Sequence, residues 1–124
     1  MVKVNGIEVH WKDAPNFKNN VKRKILWRDK ETGATFAIMM IPKGTCIDEP
    51  PHSHPHSNQF TFMFSGEMEF PDGTFVSFSK GDYRFAFNPK NDKHGPFFKG
   101  QKVPEDVIYL HYWDGPDDWD TQDD

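Results

Sequence analysis

The chain predicts an all-β fold, an antiparallel sandwich or barrel made as a single domain. Twelve Phe, four Trp, ten Pro and nine Gly in 124 residues favour short strands joined by tight turns. Successive segments of strand length alternate or run apolar, with turn residues between them. No segment sustains a helical period with caps, and "DAPNFKNN" has room for a single turn only.

Taken in order, "KRKILWRD" (Lys22–Asp29) is a strand that ends at the turn around "ETG". "TFAIMMI" (Thr35–Ile41) is a buried strand closed by "PKG". "QFTFMFSG" (Gln59–Gly66) alternates strictly, with Phe60, Phe62 and Phe64 on one face and Gln59, Thr61 and Met63 on the other. "EMEF" and "TFVSF" flank "PDG" as a hairpin with Asp72-Gly73 at its turn. "YRFAF" (Tyr83–Phe87) follows the turn "SKGD", and "DVIYLHYW" (Asp106–Trp113) is the last long strand. There are no internal repeats and no linker. A small barrel with one open mouth encloses a cavity, where function usually sits.

Charge names no partner. Fifteen Lys and Arg against nineteen Asp and Glu give −4, so there is no basic footprint for nucleic acid. Six of the acids fall in the last eleven residues (114–124), which read as a solvated acidic tail behind a body spanning 1–113. No apolar run approaches the ~20 residues that span a bilayer, and the start lacks a signal-peptide core. A soluble cytoplasmic protein without membrane contact is expected. The lone Cys46 allows no internal disulfide and reads as a quiet structural thiol.

The chemistry concentrates in "PPHSHPHSNQ" (Pro50–Gln59), where three of six histidines lie within five residues. Alternate residues of a strand point to one side, so His52 and His54 converge. Two neutral imidazoles together suit a borderline divalent ion: Fe, Mn, Ni, Zn or Cu. Gln59 opens the next strand on the face opposite its phenylalanines, and Gly66 ends that strand at a hairpin corner. His94 follows a strand and the "NPKND" turn, which can bring it back beside the first pair.

His52-Ser-His54, four residues, Gln59, six residues, Gly66, followed by Gly81-Asp82, Pro89 and His94, resembles the paired motifs of the cupin superfamily. The likeness spans about residues 44–98, with motif blocks at 44–66 and 81–98. Gln59 stands where the first motif has an acid. Asn91 stands where the second has a glycine, and Asn also tolerates a left-handed backbone. The resemblance implies a jelly-roll barrel with one divalent transition metal held by His52, His54, Gln59 and His94. Some small cupins do use three histidines with glutamine. An amide oxygen binds more weakly than a carboxylate, leaves the ion's charge uncompensated and cannot act as a base. His56, after Pro55, is placed at the barrel mouth, with a ligand role in place of Gln59 left open.

Beside the metal, Tyr109, His111 and Trp113 share one face of the last strand. If that face is inward, Tyr109 or His111 can relay a proton; if outward, they are dimer surface. Arg84 can hold an anionic substrate or lie solvated on the outer face. Met39, Met63, Phe85, Phe97 and Trp113 are candidates for an apolar cavity wall. Three classes of function follow. "HGPF" and "YWDGPDDW" resemble the acetylacetone-dioxygenase and anti-sigma-factor-like cupins, which implies a non-haem dioxygenase cleaving a C–C bond in a small enolisable carbonyl compound. Gln59 and "HSHPH" fit a redox-neutral lyase or isomerase, and a non-catalytic sensor is the third class. The row Phe60, Phe62 and Phe64 is too apolar for solvent, and cupins commonly dimerise, so a homodimer acting on a small molecule is expected.

Overall fold

Alternation decides which face each strand buries, and two strands show it without a break. Thr35–Ile41 and Val107–Trp113 each bury every second residue along their whole length. The computed structural model describes residues 1–15, 17, 20–46, 51–69, 75–77, 84–94 and 102–121. The side chains of Phe64 and Arg84, the turn residues Asp72 and Gly73, and Gly81, Asp82, Tyr83 and Phe97 lie outside the described residues.

The strands are β1 (Lys12–Asp13), β2 (Lys22–Arg28), β3 (Thr35–Ile41), β4 (Gln59–Ser65), β5 (Glu67–Glu69), β6 (Phe75–Ser77), β7 (Arg84–Asn88) and β8 (Val107–Trp113). Six of them form one sheet in the order β1-β2-β3-β8-β4-β7, and β5 pairs with β6 as a separate hairpin. Every described pairing is antiparallel. The all-β expectation therefore holds. The short β1 was not legible in the sequence, because two exposed residues carry no apolar signal.

The inner face collects Ala37, Met39, Ile41, Val107, Tyr109 and Trp113 with Val21 and Val103 into one core. The register places β8 between β3 and β4, so that His111 lies across from both Ala37 and Thr61. A small residue on one side and a hydroxyl on the other give the imidazole space and a partner. The outer face is aromatic. Rings run from Phe87 to Phe60 (5.0 Å), Phe60 to Tyr112 (5.7 Å) and Tyr112 to Phe36 (5.6 Å). Phe62, Phe85 and Phe87 are 39%, 66% and 47% exposed. Phe85, expected in the cavity wall, is thus on the outside. It pairs with Phe62, and directly opposed residues share a face.

Residues 114–121 of the acidic end form a strap laid on the barrel, where a solvated tail was expected. Asn58 donates twice to the Asp114 carboxylate, at 2.8 Å each, and Ser57 Oγ donates to the Pro116 carbonyl at 2.8 Å. Arg23 pairs with Asp117 at 2.7 Å, and Arg28 lies 3.8 Å from the same carboxylate. Ser53 and Asp120 exchange backbone hydrogen bonds of 2.9 and 2.8 Å. Gly115 permits the approach, since a Cβ there would collide with the His56 carbonyl oxygen. Charge density misled the sequence reading. The carboxylates of Asp114, Asp117 and Asp118 have partners on the barrel, and an exposed-tail expectation counts charge without them.

Gly66, at φ 102°, turns β4 into β5, and a Cβ there would stand 2.7 Å from both the Asp106 carbonyl oxygen and Val107 Cα. Gly66→Ala is expected to cost at least about 2 kcal/mol through backbone strain and that collision. Urea unfolding should show it as a lower midpoint at unchanged slope; a change within about 0.5 kcal/mol would contradict this account of the turn.

Candidate metal centre

His52 and His94 are opposed residues that exchange backbone hydrogen bonds of 2.9 and 2.8 Å. Side chains of such a pair leave the backbone on the same side, and His54, two residues on, follows them. Ring centroids lie 4.4 Å apart for His52–His94, 5.1 Å for His52–His54 and 5.2 Å for His54–His94. One nitrogen of each ring lies within 4.8 Å of the others. His52 and His54 are buried and His94 is half-buried.

The turn that delivers His94 is tied to the segment it returns to. Asn91 takes the left-handed backbone (φ 66°), its N–H donates to the His54 carbonyl at 3.0 Å, and Lys90 N–H donates to Asn58 Oδ1 at 2.8 Å. The asparagine that replaces a glycine in the motif is thus in the conformation the turn needs.

Hydrogen bonds set the tautomers. His54 Nδ1 faces the Asp118 carbonyl at 3.3 Å and His94 Nδ1 faces the Asp92 carbonyl at 3.0 Å. A carbonyl only accepts, so each Nδ1 carries the proton and each Nε2 keeps its lone pair. The His54 Nε2 is buried and makes no hydrogen bond among the described residues. An unsatisfied buried acceptor such as His54 Nε2 costs about 1–3 kcal/mol, which is large against the ~5–15 kcal/mol that hold a domain folded. Burial, then the neighbouring His94, pushes the His54 pKa below the usual imidazole range, with Asp118 and Gln59 offsetting part of the shift. Protonation is therefore a poor way to satisfy that atom. A cation among three imidazole nitrogens satisfies it, and the donor set suits a borderline divalent metal.

Gln59 is buried on the inner face, opposite the phenylalanines as its parity required. Trp113 Nε1–H donates to its Oε1 at 3.1 Å, and its Nε2 donates to Thr61 Oγ1 at 3.3 Å. An indole is only a donor, so the amide oxygen is the atom that faces it, with a second lone pair left over. Thr61 Oγ1 lies 2.8 Å from His111 Nδ1. Tyr109, His111 and Trp113 all point inward, which decides the parity question, and Tyr109 meets the His111 ring edge-on at 5.0 Å. Burial and the nearby His54 push the His111 pKa down to about 3. Met39 and Trp113 are buried in the core as expected, and Met63 packs partly buried against it. His56 is exposed, outside the three-histidine cluster, with its Nδ1 3.0 Å from the Asp118 carboxylate.

The sequence reading missed one ring at the site. The Trp119 indole lies flat on His52, with centroids 3.6 Å apart and planes 3° from parallel. A tryptophan inside an acidic run was the available signal.

A buried neutral histidine makes stability pH-dependent with a definite sign. Between the folded pKa of about 3 and the ordinary imidazole value of 6.5, the unfolded chain holds a proton on His111 that the folded chain lacks, so stability falls as pH drops below 6.5. From about pH 7 to about pH 5.5 this residue alone removes about 1 kcal/mol. His54 acts in the same direction. In urea titrations of metal-free protein, His111→Gln should lose about 1 kcal/mol less than wild type over that interval; equal losses would contradict the assignment.

Comparison with known proteins agrees with this geometry. The ChrR cupin-like domain family matches residues 1–111. No curated protein matches the chain. Among solved structures, an acetylacetone dioxygenase from Acinetobacter johnsonii is similar at TM-score 0.65 and 20% identity, over 100% of this chain and 78% of that one. An RmlC-like cupin protein from Ralstonia eutropha is similar at 0.68 and 16%, over 92% and 68%. A polyketide cyclase from Streptomyces resistomycificus is similar at 0.64 and 19%, over 96% and 81%. At these identities the likeness is one of fold, the jelly-roll barrel. With both motifs in place, His52 opposed to His94 and nine-tenths of its length matched, the chain belongs to the ChrR cupin-like domain family.

Proposed function

We propose that this chain is a metal-dependent cupin enzyme in which His52, His54 and His94 hold one divalent transition metal, with Gln59 as a neutral fourth donor. The convergence of the three imidazoles, with lone-pair Nε2 atoms on His54 and His94, carries this reading. The substrate class is a small enolisable carbonyl or hydroxy-acid compound, and the preferred reaction is oxygen-dependent cleavage of a C–C bond. When bound, the metal supplies Lewis acidity and, if redox-active, a means of using dioxygen.

The remaining chemistry belongs to the chain. Three imidazoles and an amide bring no negative charge, so the site keeps the ion's full positive charge and favours an anionic enolate or carboxylate. Trp113 and Thr61 hold the Gln59 amide in place, and burial keeps bulk water from the inner row. His111, with its low pKa, is a hydrogen-bonding group at neutral pH and a weak base. Tyr109 beside it is the better candidate to move a proton. The name of the Acinetobacter structure supports the dioxygenase class. A redox-neutral lyase or isomerase is the second reading, favoured by the uncharged donor set, which strengthens a Lewis acid. The exposed Phe62, Phe85 and Phe87 on β4 and β7, the last two strands of the described sheet, support a second copy of this chain as the partner of the outer face.

Metal analysis after reconstitution with Fe(II), Mn(II), Ni(II), Zn(II) or Cu(II) should find one ion per chain. Outer hydrogen-bond partners of a ligand alone are worth about 10–100-fold in affinity, so His52→Ala or His94→Ala should lose more than that while the far-ultraviolet spectrum stays that of a β protein. Gln59→Glu should retain metal and change the reactivity. Oxygen uptake with Fe(II) protein over dicarbonyl and hydroxyketone compounds favours the dioxygenase; turnover without uptake, supported by Zn(II), favours the lyase or isomerase. Failure of every ion to bind would remove the enzyme reading. Sedimentation at micromolar concentration showing only a 14.5 kDa species would remove the dimer.

A further inference from the structure

We infer that Trp119 is a positioning residue of the metal centre, holding the His52 imidazole in plane through a flat stack delivered by the C-terminal strap. The inference rests on the metal reading above. A metal ligand must present its lone pair along one direction, and an imidazole on a short irregular strand has two side-chain torsions that can turn it away. The partners that orient such rings are as much part of the site as the ligands. His94 has the Asp92 carbonyl on its Nδ1 and His54 has the Asp118 carbonyl. On His52 the strap lays the indole flat, at 3.6 Å and 3°. Two of the three imidazoles are therefore oriented by adjacent residues of the strap, Asp118 and Trp119.

The strap is built to deliver that ring. Ser53 and Asp120 are opposed and exchange both backbone hydrogen bonds, so the residues flanking them, His52, His54 and Trp119, project to the other side together. Phe17 meets the Trp119 ring edge-on, 5.2 Å away and at 71°, and braces it. Upstream, Arg23 clamps Asp117 at 2.7 Å with both side chains largely buried. Residues 114–121 lie past the stretch matched by the family model.

The test is Co(II) binding to the full-length chain, read as affinity by chelator competition and as geometry by the visible ligand-field absorption. Trp119→Ala should weaken Co(II) binding by about 10–100-fold and shift the absorption band, while Trp119→Phe, which keeps a flat ring over His52, should stay within about threefold of wild type. Arg23→Met loosens the strap away from the rings. By charge alone, loss of that cation should strengthen Co(II) binding, so weaker binding assigns the effect to strap position. Should Trp119→Ala fail to unfold cooperatively, Arg23→Met and Trp119→Phe decide the matter. Unchanged affinity and band in Trp119→Ala, or Arg23→Met binding at least as tightly as wild type, would overturn the positioning role and leave the metal reading standing. A wild-type chain that binds no Co(II), and none of the other divalent ions, would overturn both.

Discussion

The backbone exchange between His52 and His94 is the constraint on which the site depends. Two residues 42 positions apart in sequence are locked opposite one another by two hydrogen bonds, and strand geometry then sends both imidazoles the same way. The "NPKND" turn makes that pairing possible. Its Asn91 accepts a left-handed backbone and bonds the His54 carbonyl, so the return path is fixed on the segment it must reach. Loosen this turn and His94 loses its register, whatever the rest of the barrel does.

Burial then decides what those imidazoles can do. Desolvation disfavours the imidazolium, and His54 and His111 both have lowered pKa values for that reason. A buried neutral imidazole such as that of His54 competes poorly for protons and well for a borderline cation. The donor set adds no negative charge, because Gln59 stands where the motif has an acid. The carboxylates that exist nearby, Asp117 and Asp118, sit on the strap and are engaged by Arg23, Arg28 and His56. Those carboxylates are thus engaged away from the three-histidine cluster, which under the proposed reading leaves a bound metal's charge for a substrate.

Much of this was legible in the sequence. The bounds of β3 match the apolar run Thr35–Ile41, and β4 begins at Gln59 with Gln59 and Thr61 on the face opposite Phe60 and Phe62, as strict alternation required. The period of two put His52 and His54 on one side of their strand, and the resemblance to the paired cupin motifs added His94, which the structure brings beside them. What was not legible came from contacts between distant segments. Parity alone could not send Tyr109, His111 and Trp113 inward; that needed the register with β3 and β4. Phe85 was misassigned for the same reason. The strap was misread because net charge counts acids and not their partners, and Trp119 was hidden among them. No helix among the described residues is long and apolar enough to cross a membrane, as the hydropathy of the chain implied.

The most direct measurement is the protonation pattern of the imidazole nitrogens in ¹⁵N-labelled, metal-free protein by long-range ¹H–¹⁵N NMR near neutral pH. The account predicts His54 and His94 as neutral rings with the proton on Nδ1 and a pyridine-like Nε2. Those Nε2 resonances should move together on addition of one equivalent of Zn(II). Rings protonated on Nε2, or Nε2 resonances that ignore the ion, would contradict a cation centre built from these three histidines.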